Sequence, residues 1–144
     1  MNRVVKIFID LDGTICGISE WKSFIHNTMC LFNTGLLMDM PNHSWSILTA
    51  RPRFDRWVIK RVCKKYKLYP DKIITSPTMF YKFEGKQDRA DWKYSVLSKE
   101  LDDIFVTDVI YVDNDAEDLS RIKTQNGLVL CKPNMLNKIL NDIV

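Results

Sequence analysis

Four oxygen-bearing side chains in this 144-residue chain sit at the ends of apolar runs: Asp10, Asp12, Thr49 and Asp113. A carboxylate that takes up a phosphoryl group needs partners. These are a divalent cation, cationic or hydroxyl groups on the phosphoryl oxygens, and a proton donor for the leaving group. Asp10 and Asp12 lie two positions apart, so both carboxylates can point into one crevice. Gly13 permits a tight turn whose backbone N–H groups face a phosphate. Asp113, with Asp118 behind it, would complete an oxygen-rich site suited to Mg²⁺. Thr49 adds a hydroxyl from a third strand end. Alone, an Asp-x-Asp pair is usually a turn or a helix cap. Its meaning depends on what positions it.

The apolar periodicity predicts strands at residues 4–9, 45–48, 72–75, 109–112 and 128–131. Helices are expected over 20–37, from Pro52 onward, and over 91–101, 115–124 and 133–143. Phe54, Trp57, Val58, Val62 and Tyr66 would form the core face of the helix after Pro52. Residues from 76 to about 90 read as an irregular stretch. Strands alternating with helices imply an α/β fold, a Rossmann-like three-layer sandwich with a central parallel sheet of about five strands. Ligands of such sheets bind beyond the carboxyl ends of the strands. Asp10, Asp12, Thr49 and Asp113 all fall there.

Ile-Phe-Ile-Asp-Leu-Asp-Gly-Thr (7–14) resembles the first motif of the haloacid dehalogenase-like (HAD) phosphatase superfamily. Ile-Leu-Thr-Ala-Arg-Pro (47–52) is similar to its second motif, and Val-Ile-Tyr-Val-Asp-Asn-Asp-Ala-Glu-Asp (109–118) to its fourth. The resemblance implies a Mg²⁺-dependent phosphomonoester hydrolase. Asp10 would be the nucleophile and a metal ligand. Asp12 would be the acid and base, with its backbone carbonyl on the metal. Thr49 would bond a phosphoryl oxygen, and Asp113 would bind Mg²⁺. Gly13, Thr14 and Arg51 would line the phosphate site, and Asn114 and Asp118 are candidates to support the ligands. The family's third motif is a lone lysine. Lys93 stands about where the resemblance places it, with Lys86 as the alternative.

Composition sets the remaining bounds. With 46% hydrophobic and 27% charged residues, the chain reads as one globular domain over 1–144. No apolar run approaches a membrane span, and Asp10 and Asp12 interrupt any secretory signal. The expectation is a cytoplasmic monomer or small homo-oligomer. Cys16, Cys30, Cys63 and Cys131 have no metal-ligand spacing and read as free thiols. His26 and His43 lack a partner pattern, and Trp21 and Phe24 read as core. Between Arg51 and Lys67 stand eight basic residues and one acid, Asp55. That cluster is either a solvated helix face or a contact for an anionic partner.

Little sequence is left for a substrate-covering insertion between Asp12 and Ser46 or between Thr49 and Lys93. A minimal or absent cap implies, by the same resemblance, a macromolecular substrate or closure of the site by another subunit. The Thr-Ala-Arg-Pro motif with its basic helix looks like domains that remove 3′-phosphates from nucleic-acid ends. No Gly-x-x-x-x-Gly-Lys-[Ser/Thr] loop is present, which excludes an attached polynucleotide kinase within this chain. A nucleotide or sugar-phosphate phosphatase, or a non-catalytic phosphate- or Mg²⁺-binding module, are the rival readings. A phosphoacceptor receiver domain fits less well, since its phosphorylated Asp sits on a middle strand of the sequence.

Overall fold

Strands with apolar residues at consecutive positions can be buried on both faces, and a parallel sheet supplies that environment. In the structure, a computed structural model that describes residues 3–15 and 44–143, five such strands form one all-parallel sheet. They are β1 (Val5–Ile9), β2 (Trp45–Leu48), β3 (Ile73–Ile74), β4 (Asp108–Val112) and β5 (Leu128–Cys131). Their order is β3-β2-β1-β4-β5. The chain runs outward from β1 through β2 to β3, then returns to the other side of β1 for β4. The order therefore reverses between β1 and β4, where doubly wound sheets open a binding crevice. Ile9 is in register with Val112 and with Ile47. Asp10 and Asp113 thus leave adjacent strands at the same level.

Side-chain alternation sends β1 and β4 into two separate cores. Ile7, Ile9, Ile110 and Val112 pack on one face with α1 (Arg56–Lys65) and α4 (Leu136–Ile143). Phe8, Val109 and Tyr111 pack on the other with Ala90 and Leu97 of α2 (Lys86–Leu101). Leu119 of α3 (Ala116–Arg121) packs against that second core. The result is a three-layer α/β sandwich, with β2 and β4 buried along their whole length. Burying each large aliphatic side chain there contributes about 1.5–3 kcal/mol. No helix among the described residues is long and apolar enough to cross a membrane.

Two element expectations need correction. The helix after Pro52 begins as a 3-10 turn (Arg53–Asp55) before α1. That tighter turn shifts the helical phase, so Ile59, Val62 and Cys63 are buried while Phe54 and Trp57 are half exposed. α2 starts at Lys86, five residues before the expected 91. Its first turn, Lys-Gln-Asp-Arg, is polar throughout and carries no apolar period to mark it. The expected helix 20–37, with Trp21, Phe24 and His26, lies outside the described residues, as do His43, Cys16 and Cys30. The expectation about a cap between Asp12 and Ser46 lies outside them for the most part. Between Thr49 and Lys93 the described chain holds the 3-10 turn, α1, β3 and the loop before α2. Cys63 and Cys131 are buried free thiols.

Candidate active site

Asp10 is the first residue after β1, and its N–H donates to the carbonyl of Val112 at 2.9 Å. The sheet thereby sets its position directly. Lys93 Nζ donates to Asp10 Oδ1 at 2.9 Å and to Tyr111 Oη at 2.7 Å, and it lies 3.9 Å from Asp113 Oδ2. Tyr111 in turn donates its hydroxyl to Asp113 Oδ2 at 2.9 Å. Asp10, Lys93, Tyr111 and Asp113 are all buried. Ala90, Lys93 and Leu97 form the inward stripe of α2, which carries the ammonium to the carboxyl ends of β1 and β4.

The site's electrostatics follow from crowding charges in a buried space. Burial pushes the Asp10 carboxyl up, and the Lys93 ammonium works against that rise. Burial, then the neighbouring Asp10 charge, push Asp113 up to about 7. Burial alone would depress Lys93, but Asp10 and Asp113 outweigh it and hold the ammonium above its usual range. Burial keeps Tyr111 far above the ordinary phenol, so its hydroxyl stays neutral and can accept from Lys93 while donating to Asp113.

Thr14 ties the two strand ends together. Its hydroxyl donates to Asp10 Oδ2 at 3.3 Å and accepts the N–H of Asn114 at 3.0 Å. Gly13 takes φ +78°, the left-handed region that favours glycine, and lets the chain turn over the crevice. The Asp115 N–H donates to Asp113 Oδ1 at 2.9 Å, while the Asp115 side chain caps α3. Asp118 lines the crevice from the first turn of α3. That crevice, about 970 Å³, is bordered by Asp12, Gly13, Arg51, Pro52, Tyr81 and Asn114, among others.

Arg51 occupies the crevice wall in an unanticipated way. Its guanidinium holds Asp12 with Nε at 2.8 Å and Nη2 at 2.7 Å, on different carboxylate oxygens. Its Nη1 reaches Asp55 Oδ2 at 3.3 Å. Asp55, almost wholly buried, anchors the arginine from one helical turn away. Thr49 is also buried, and its Oγ1 accepts the backbone N–H of Arg51 at 3.2 Å. A hydroxyl that accepts one bond can still donate its own proton.

Of the two candidate lysines, the structure brings Lys93 to Asp10. Lys86 sits seven residues earlier on α2, about 10 Å along the helix axis, where it pairs with Glu117 Oε2 at 2.7 Å on the surface. Tyr111 and Asp55 are the members of the site that sequence reasoning missed. Both carried a signal. Tyr111 is the hydroxyl in an otherwise aliphatic run two positions before Asp113, and Asp55 is the lone acid in the basic segment.

Among the described residues no group of three or more His, Cys, Asp or Glu side chains is placed to hold a metal ion. Mg²⁺ asks for less, since it keeps several waters and takes one or two carboxylates. Asp10 and Asp113 are hard oxygen donors on adjacent strand ends, and a small dication would offset the burial, and then the neighbouring carboxylates, that lift both. Asp10 and Asp113 are the side chains that could hold such an ion.

The Asp113 value has a testable consequence. Its native carboxyl keeps a proton to higher pH than the unfolded chain's, whose value is near 3.8. The stability it contributes below about pH 4 is therefore lost as pH rises toward about 7. A Mg²⁺ ion held by Asp113 would have to displace that proton below about pH 7, so its apparent affinity should fall as pH drops, up to about tenfold per unit. Thermal unfolding with and without Mg²⁺ should show a larger stabilisation at pH 8 than at pH 6. Asp113→Asn should remove most of the Mg²⁺ effect. An equal Mg²⁺ shift at both pH values would place the ion elsewhere.

In comparisons with protein-family models, curated proteins and solved structures, this chain has no match.

Proposed function

We propose that this chain is a Mg²⁺-dependent phosphomonoester hydrolase that works through an aspartyl-phosphate on Asp10. The observation that carries the reading is the buried Asp10–Lys93 pair, 2.9 Å apart, beside Asp113 at the reversal point of the sheet. A buried carboxylate–ammonium pair adds little net stability, and perturbed titratable groups gathered at strand ends beside a crevice are what a catalytic site requires.

Asp10 attacks phosphorus through one carboxylate oxygen. The phosphorus–ester oxygen bond breaks, and the departing oxygen takes a proton from Asp12. Water then attacks the aspartyl-phosphate, giving its proton to Asp12, and the phosphorus–Asp10 bond breaks. Inorganic phosphate leaves and Asp10 is regenerated. Lys93 holds the attacking carboxylate and lies where it can offset charge on the phosphoryl oxygens. Thr49 donates its hydroxyl proton to one of them. Mg²⁺, when bound, supplies charge neutralisation in a crevice otherwise rich in carboxylates. Arg51 begins on Asp12, and an entering phosphate competes for the same guanidinium. That exchange frees Asp12 to take the proton of the entering monoanionic phosphoryl group, which it then passes to the departing oxygen.

Two substrate classes share this chemistry: a nucleic-acid 3′-phosphate end, and a nucleotide or sugar phosphate. The exposed cations of α1 and its preceding turn favour the first.

Asp12→Asn tests the division of labour. An aryl phosphate leaves with little protonation, so its initial burst of phenol should be within about tenfold of the parent. An alkyl phosphate should lose about a hundredfold or more. Equal losses in the first step for both substrates would assign Asp12 to binding alone. No Mg²⁺-dependent hydrolysis of any phosphomonoester by the parent protein would overturn the whole reading and leave a non-catalytic binding module.

A further inference from the structure

The crevice has an unusual neighbour for a phosphate site. Phe80 is 73% exposed and Phe54 51%, and their rings stack at 6.4 Å between centroids, 22° apart. Tyr81, also 51% exposed, lines the crevice itself. Exposing three large rings in a row is unfavourable for a protein with room to bury them.

These rings are held, not loose. The Arg53 N–H donates to the Thr78 carbonyl at 2.9 Å and the Phe54 N–H to the Met79 carbonyl at 3.3 Å, which ties the ring-bearing loop to the turn before α1. The Thr78 hydroxyl donates to the Phe80 carbonyl at 2.8 Å. The Tyr81 hydroxyl accepts from Arg89 Nη1 at 3.0 Å, and its ring meets buried Phe83 edge-on at 5.7 Å. Phe83 packs against Trp92 of α2. Each exposed ring therefore has a fixed base and an open face.

A second cavity, about 670 Å³, lies along the edge strand β3, with Arg53, the residue before Phe54, in its lining. Arg53, Arg56, Lys60 and Lys72 contribute four cations to its lining, against Asp71. Pro52 borders the catalytic crevice and Arg53 the basic cavity, so the two openings are neighbours with the rings beside them. Flat open faces next to a cation-lined groove match single-stranded nucleic acid. Its bases stack on any aromatic face, and its phosphates pair with Lys and Arg. An acidic peptide would use the cations but not the rings.

The geometry points to a single-strand binding track: Tyr81 and the Phe54–Phe80 pair stack bases, while Arg53, Arg56 and Lys60 take the backbone phosphates. It rests on the proposed hydrolase for what happens to the bound end, but binding can be measured apart from catalysis.

The test uses a labelled oligothymidylate of about ten nucleotides without a terminal phosphate, titrated with the full chain by fluorescence anisotropy. The parent protein should bind it, with affinity falling steeply between about 50 and 200 mM salt. Phe54→Ala/Phe80→Ala should weaken binding by about fivefold or more per ring and leave the salt slope in place. Arg53→Ala/Arg56→Ala/Lys60→Ala should weaken it and reduce the log–log salt slope by roughly 0.7 per contact. Circular dichroism and thermal unfolding would establish that each variant is folded, and Tyr81→Leu gives an independent ring deletion. No binding by the folded parent at low salt overturns the track. So does a loss confined to the charge variant, which would reduce the cations to a nonspecific face. Separately, Mg²⁺-dependent turnover of an aryl phosphate by the same preparation reports on the hydrolase reading, so either can fail without the other.

Discussion

Asp10→Asn should keep the fold and reduce phosphomonoester hydrolysis by at least about three orders of magnitude, because no covalent intermediate can form without the attacking carboxylate. The substitution keeps the size of the side chain and the donor–acceptor contacts available to Thr14. Lys93 loses its 2.9 Å partner but remains 3.9 Å from Asp113. One buried ion pair is thus weakened and not orphaned, and thermal unfolding should still be cooperative. Affinity for the substrate should change far less than kcat. Activity within tenfold of the parent, in a folded variant, would remove Asp10 from the chemistry.

Lys93→Ala should have the largest combined effect on stability and activity. Without the ammonium, Asp10 and Asp113 are two buried carboxylates with no cation between them, a loss of about 3–5 kcal/mol by analogy with other broken buried pairs. The penalty should be greater at pH 8 than at pH 6, since protonation of the raised carboxyls relieves it at lower pH. In Lys93→Ala/Asp10→Asn part of that stability should return, because one stranded charge is gone. The kcat of Lys93→Ala should fall by about 10²–10³ where the variant folds. Lys86→Ala should leave kcat in place, with any loss confined to KM, because Lys86 pairs with Glu117 on the surface. The reverse pattern would mean that Lys86, and not Lys93, meets the substrate.

The strand ends were legible because each was an apolar run followed by an acid or a hydroxyl, and a parallel sheet makes such ends converge. Asp10, Thr49 and Asp113 could be placed that way without knowing the strand order. Reversal of the order between β1 and β4 could not, since crossovers leave no mark in local periodicity. The start of α2 was hidden for a different reason. Gly85 precedes it without a side-chain cap, and its first turn is all polar. Lys93 therefore looked like the first turn of a helix when it lies in the second.

Tertiary pairing decided the rest. Arg51, expected at a substrate phosphate, is held by Asp12 and Asp55. A guanidinium two residues past Thr49 and four before an acid had that geometry available, but nothing local favours Asp12 over a ligand. Tyr111 was legible only as a strand residue. Once the strand is buried, however, its hydroxyl must find partners or cost about 1–3 kcal/mol. It finds Lys93 and Asp113, and so becomes the link between the ammonium and the Asp113 carboxylate. The 3-10 turn leaves no mark in the apolar period, and with it Phe54 and Trp57 stand half exposed.

The covalent intermediate is the central claim, and trapping it is the most direct test. Asp12→Asn with a radiolabelled aryl phosphate and Mg²⁺ should form the aspartyl-phosphate while releasing it slowly, since the base for water attack is gone. An acid quench followed by borohydride reduction should convert the labelled residue to homoserine, located by peptide mass mapping. The expected result is homoserine at position 10, absent when Asp10→Asn is added. Turnover of the aryl phosphate with no label on the protein, or with the label on any other residue, would contradict the account.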